Sequence, residues 1–155
     1  MRFIQTHILT KAQKTSILNI WNNEYPVNLI HKNLSDFENY LDGLVNKNHI
    51  LLIDEIAGIK GWLVTFTREN ERWFVMILDS KVQKRGLGSK ILTLGKKDAT
   101  VLNGWIINHN GLKKRNGHFY ESPKNFYKKN GFEILETTVL ENENLSAIKI
   151  QWKSE

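Results

Sequence analysis

Two apolar periodicities divide this chain. Between Lys11 and Trp21, the residues Ile17, Ile20 and Trp21 share one helical face, with Thr10 ahead of them as an N-cap. Pro26 ends or interrupts that region. A second helical stretch opens at Asn33-Leu34-Ser35-Asp36 and repeats Phe37, Tyr40, Leu41, Leu44 and Val45 at helical spacing. Strand patterning predicts Phe3 to Ile8, His49 to Ile53, Ile59 to Thr67 and Trp73 to Leu78. Trp62, Val64 and Phe66 alternate, whereas Trp73 to Leu78 is apolar on both parities, as in a central strand covered on both faces. Short polar turns at Asp54 to Gly58 and Arg68 to Arg72 join the last three of these strands into an antiparallel meander.

Helical spacing returns from Gly88 to Leu102, with Ile91, Leu92, Leu94 and Leu102 inward. Gly104 to Ile107 predicts a fifth strand, and Asn108 to Glu121 a polar loop of unusual length. Ser122-Pro123 starts a short helix, Ser as N-cap and Pro at the first helical position, and Asn130-Gly131 ends it. Phe132 to Leu140 and Leu145 to Trp152 form a final pair of strands around Glu141 to Asn144. This order predicts an α+β fold: a mixed, mostly antiparallel sheet of about seven strands with about four helices. The 155 residues suit a single domain spanning 1–155.

A formal net charge of +6 favours anionic partners. A solvated basic surface accounts for it most simply, a polyanionic small ligand next. Nucleic acid is disfavoured, because no nucleic-acid-binding signature accompanies the charge. No apolar run is long enough to span a bilayer, and the first residues lack the pattern of a signal peptide. There are no cysteines, which excludes disulfides, thiolate metal sites and a cysteine nucleophile. The expected compartment is the cytoplasm. The five His residues show no close ligand pair, so no metal is expected. Oligomeric state, monomer or homodimer, is open.

The chemistry concentrates at Val75 to Leu92, where an apolar strand gives way to a basic glycine loop and then a helix. Such a junction directs free backbone N–H groups and a helix dipole at one point, a ready phosphate site. A Walker-type loop would end in Gly-Lys-Ser/Thr, but the order here is Gly88-Ser89-Lys90 and the upstream glycine is missing. A dinucleotide fingerprint would place a third glycine where Ile91 stands. On this loop alone, a tight turn without ligand is the alternative.

Read whole, Gln83-Lys84-Arg85-Gly86-Leu87-Gly88 resembles the acyl-CoA loop of the GCN5-related N-acetyltransferases (GNAT). Asn125-Phe126-Tyr127-Lys128-Lys129-Asn130-Gly131-Phe132 resembles that family's late motif. The two motifs stand in the right order with the matching helix and strand between them, covering residues from about 50 to 152. The resemblance implies that acetyl-CoA is the co-substrate, with its pyrophosphate cradled by Gln83, Lys84, Arg85, Gly86, Leu87, Gly88 and Ser89. It implies that the backbone of Ile77 and Leu78 pairs with the pantetheine arm, and that a bulge in that strand offers an amide, near Leu78, to the thioester oxyanion. It implies Tyr127 as the acid that protonates the departing thiolate. Many members carry Asn seven residues before this Tyr; here Tyr120 stands there, with Asn110 and Asn125 as the candidate replacements.

The implied reaction is direct acetyl transfer to a primary amine of a small molecule or peptide. Candidate bases are Glu71, Asp79, His109 and His118; Glu71 reads as a solvated turn residue, Asp79 as a loop cap and His109 as the best-placed imidazole. Trp21 to Tyr40 and Asn108 to Tyr120 are expected to shape the acceptor pocket, with Trp62, Trp73, Trp105 and Tyr120 as candidate lining. The alternatives are a non-catalytic CoA-binding module and a basic nucleic-acid-binding protein.

Overall fold

In the computed structural model, residues 1–143 and 145–155 are described. The elements run β1 (Arg2–Thr6), α1 (Lys11–Glu24), α2 (Leu34–Asp42), β2 (Val45–Asp54), β3 (Gly58–Arg68), β4 (Glu71–Leu78), α3 (Leu87–Lys96), β5 (Val101–Ile107), α4 (Lys124–Lys129), β6 (Glu133–Glu141) and β7 (Ser146–Lys153). The strands form a seven-stranded sheet in the order β1-β2-β3-β4-β5-β7-β6, as the α+β reading expects. Neighbours are antiparallel except β4 and β5. Asn144, in the expected β6–β7 turn, lies outside the described residues.

Local chemistry explains the element ends. Thr10 accepts from the Gln13 N–H at 3.1 Å while the Gln13 side chain accepts from the Thr10 N–H at 2.8 Å, a full capping box for α1. Asn33 caps α2 through the Asp36 N–H. Three sequence expectations give way. Val45 is not on α2: the helix ends at Asp42, and Val45 begins β2 half-exposed. The helix expected to reach Leu102 stops at Lys96, and Asp98, with φ +67°, turns the chain; Leu102 is buried as expected, but on β5. Ser122 does not cap α4; Pro123 holds that position, and the Ser122 hydroxyl donates to the Ile107 carbonyl instead.

Two cores sandwich the sheet. On one face Trp73 and Ile77 of β4 pack with Ile17, Trp21, Phe37 and Leu41 of α1 and α2. On the other, Phe74 packs with Ile91 and Leu92 of α3 and with Tyr127 of α4. β4 is thus covered on both sides, as its unbroken apolar run predicts. Trp62 is fully buried in the first core and donates its indole N–H to Nδ1 of buried His49 at 3.0 Å.

The feature that makes a site is the β4–β5 junction. These strands pair only at Arg72–Leu102 and Trp73–Asn103, whereas β5 continues against β7 from Val101 to Ile107. Fully buried Asn103 locks the closed end: its amide donates to Glu71 Oε1 at 3.1 Å and to the Arg72 carbonyl at 3.3 Å, and accepts from Gln151 at 2.9 Å. Beyond Trp73 the two strands part.

Candidate active site

The parting leaves one edge of β4 without a strand partner, and register decides which amides it presents. The Asp79 N–H donates to the Lys60 carbonyl at 2.9 Å, so the backbones of Asp79, Ile77 and Val75 turn toward β3. Those of Leu78 and Met76 turn into the gap. Their carbonyls agree: Tyr25 donates its hydroxyl to the Met76 oxygen at 3.4 Å, and Gln83 its amide to the Leu78 oxygen at 3.0 Å. Ile77, expected as a backbone partner of the donor, thus has its N–H and C=O on the β3 side, and Met76 and Leu78 are the residues whose backbones face the gap. The expected bulge is also missing from this ladder, which runs from Gly61–Leu78 to Arg68–Glu71 without a shift. The free edge arises from the splay itself.

At the open end of β4 the chain makes a short turn over Ser80–Val82. Asp79 caps it by accepting from the Lys81 N–H at 2.9 Å and pairs with Lys60 at 3.5 Å, a structural role. Lys84 (φ +62°) and Gly86 (φ +79°) then adopt left-handed backbone, and α3 starts at Leu87. Left-handed backbone on a lysine costs about 1 kcal/mol, a strain that collects at ligand loops. No side chain caps the first turn of α3, so its N–H groups face outward unpartnered by a cap. A Cβ at Gly86 would meet nothing within 4 Å, so glycine serves the backbone angle there. At Gly88 a Cβ would lie 3.1 Å from the Phe126 ring and 3.2 Å from Leu78 Cδ1, so glycine serves close packing.

These groups border one cleft of about 1400 Å³. Ile77, Leu78, Gln83, Lys84, Gly86, Gly88, Ser89, Asn125 and Tyr127 line it. Arg85 and Leu87 do not: Arg85 is exposed, and Leu87 packs against the small core of Leu52, Leu78 and Val82. Asn110 is structural, accepting from the Ser122 N–H at 2.7 Å, which leaves Asn125, of these two, on the cleft wall. Lys84 and Lys129 supply cationic charge to the lining on this side.

Tyr127 sits on α4 between the rings of Phe74 (5.7 Å) and Phe132 (5.4 Å) and is only 5% exposed. Burial pushes its pKa far above the ordinary phenol range, so it is a neutral O–H donor at any physiological pH. Burial also raises Tyr120 to about 12 and Tyr25 well above its usual value. Tyr25, Tyr120 and Tyr127 all line the cleft, neutral phenols around one space.

The far side of the cleft faces α1 and α2. Trp21 donates its indole N–H to the Leu29 carbonyl at 2.8 Å, and Asn22 exchanges two 3.0 Å hydrogen bonds with the His31 backbone. The segment so pinned bridges to the long loop, with the Val27 N–H donating to the Lys113 carbonyl at 2.9 Å. Glu24 joins three elements: one oxygen accepts from the Ser80 N–H at 2.8 Å, the other pairs with Lys114 at 3.3 Å. Trp73, Trp105 and Tyr120 line this half, whereas Trp62 is core. Among the described lining residues His118 is the imidazole; His109 stands outside, its Nδ1 accepting from the Gly111 N–H at 3.4 Å. Glu71 is tied to Asn103 at the closed end. Among the described residues, no three His, Asp or Glu side chains gather as metal ligands, and no helix is long and apolar enough to cross a membrane.

The splayed sheet, the glycine loop opening α3 and the short late helix define the fold of the GCN5-related N-acetyltransferases. Solved structures with this fold include an aminoglycoside 6'-N-acetyltransferase complexed with coenzyme A, with a TM-score of 0.73, 12% identity and coverage of 99% of this chain and 97% of the other. A GNAT superfamily phosphinothricin acetyltransferase from Sinorhizobium meliloti in complex with AcCoA matches with a TM-score of 0.66, 13% identity and coverage of 99% and 89%. A ribosomal-protein-alanine N-acetyltransferase from Brucella melitensis matches with a TM-score of 0.62, 16% identity and coverage of 97% and 99%. No family model matches the sequence, and no curated protein matches it.

Proposed function

We propose that this protein is an acetyl-CoA-dependent N-acetyltransferase that moves an acetyl group directly to a primary amine. One observation carries the reading: the free amides of Met76 and Leu78 run toward the uncapped start of α3, with Tyr127 bordering the same cleft. The residues fit the donor. An extended amide-bearing arm pairs with an unpartnered strand edge, and a pyrophosphate fits N–H groups that no side chain occupies. Two solved structures of this fold hold coenzyme A or AcCoA, which supports the same choice.

Each group then has a task. The Leu78 amide donates to the thioester oxygen as negative charge develops on it. The amine nitrogen, as the free base, forms the new C–N bond with the carbonyl carbon. The C–S bond breaks and its electron pair stays on sulfur. Tyr127 gives that thiolate its proton and regains one from solvent, while the product nitrogen loses one proton to solvent, so amine and thioester become amide and thiol and the phenol is restored. His118 is the imidazole available on the wall for that second transfer.

Calorimetry with CoA and steady-state acetyl transfer across an amine panel test this. CoA binding together with turnover is expected, and Tyr127→Phe is expected to lower kcat roughly 100-fold while leaving CoA affinity within about twofold. CoA binding with no turnover on any amine identifies a non-catalytic CoA module. Failure to bind CoA rejects the reading altogether.

A further inference from the structure

The acceptor half of the cleft has a charge pattern of its own. Its walls are aromatic: Trp21, Tyr25, Tyr40, Phe66, Trp73 and Trp105. The carboxylates in the lining are Glu24 and Glu121. Both oxygens of Glu24 are engaged, by Ser80 and Lys114, and Glu121 is exposed on the long loop. Two cations stand over the Trp73 ring, Arg68 at 5.4 Å and Lys149 at 5.1 Å. Lys149 pairs in register with Trp105, which places it on the acceptor face of β7. Among the described residues neither cation makes an ion pair. Trp73 itself is 4% exposed, and its indole N–H is buried without an acceptor. The set is therefore Arg68, Lys149 and an indole N–H: donors only, on apolar walls.

Donors without acceptors select an oxyanion. A polycation needs several free carboxylates, and the lining offers its ammonium groups only Glu121, because Glu24 is already engaged. Distance fixes the second property. Trp73 and Met76 are separated by roughly 10 Å of strand at about 3.3 Å per residue. An anion held at Trp73 thus lies an extended spacer away from an amine reacting beside the Met76–Leu78 edge.

We propose that the acceptor is a primary amine whose far end carries a carboxylate, joined by an extended apolar body, and that Arg68, Lys149 and the Trp73 indole hold that carboxylate. The proposal rests on the acetyl-transfer reading of the same cleft. It assigns specificity to residues of β3, β4 and β7 that neither sequence motif includes.

Two matched pairs test it: ω-aminooctanoate against octylamine, and the dipeptide Phe-Phe against its C-terminal amide, with kanamycin as a polycation. In each pair the carboxylate is expected to raise kcat/KM at least about 10-fold, the effect of one charge-assisted hydrogen bond. The double variant Arg68→Gln/Lys149→Gln is expected to bring the ratio within each pair to about one. Which pair shows the larger ratio tells a free ω-amino acid from a peptide. Equal use of both members of each pair, better use of kanamycin, or a ratio unmoved in the variant overturns the proposal. Calorimetry on the acetylated acid and its uncharged counterpart separates this from the reaction itself. Preferential binding of the acid without any acetyl transfer upholds the anion site and rejects the acetyltransferase; transfer without preference does the reverse.

Discussion

His49 shows how one buried side chain ties stability to pH. It is 2% exposed, and burial, assisted by Lys47, lowers its pKa from 6.5 to about 4. The unfolded chain takes up a proton at this ring as pH falls through 6.5, while the folded chain resists until about 4. Stability therefore declines across that window on acidification, by about 3 kcal/mol for a shift of this size. Urea unfolding at a series of pH values measures it, and in His49→Gln the slope between these limits is expected to flatten. Gly88 is a second residue where one atom decides. An added methyl group must displace the Phe126 ring or Leu78, so Gly88→Ala is expected to weaken CoA binding about 10-fold or more in calorimetry. Gly86→Ala, with open space but positive φ, is expected to act on stability instead, by roughly 1 kcal/mol in denaturant unfolding.

Among elements, the aromatic wall of the cleft is held by contacts between segments distant in the chain. Glu24 at the end of α1 ties the turn after β4 and the long loop together. Glu24→Ala removes the acceptor for the Ser80 N–H and the counter-charge of Lys114. It is expected to cost about 2 kcal/mol in thermal unfolding and to expose the 108–121 loop to faster amide exchange. This distance in sequence also explains what could be read in advance. Gly86, Gly88 and Tyr127 lie in motifs whose constraints are local: a strand, a positive φ, a helix start. The choice of Met76 over Ile77 depends on how β4 pairs with β3, and alternation alone leaves both parities apolar. Glu24, Arg68 and Lys149 matter through partners on other elements, and each reads as an ordinary surface charge in its own segment. The sequence carries α3 too far because Leu102 is apolar at helical spacing, and the turn at Asp98 needs a left-handed residue that is not glycine.

For the whole molecule, the governing feature is that β4 and β5 pair at two positions and then diverge. The cleft between them is lined by residues of both cores, one set from each face of the sheet. The α3–α4 face offers the glycine loop and Tyr127, and the α1–α2 face offers the aromatic wall. On the acetyl-transfer reading the two substrates approach from these two faces, and that has a kinetic signature. Each ligand enters without the other having left, so initial-velocity plots against one substrate at fixed levels of the other are expected to intersect; parallel lines would instead mark an acetylated enzyme. On the same reading the thiol product leaves by the α3–α4 face and the amide by the α1–α2 face. Neither has to wait for its companion, and excess of one product is expected to compete with its own parent substrate far more than with the other.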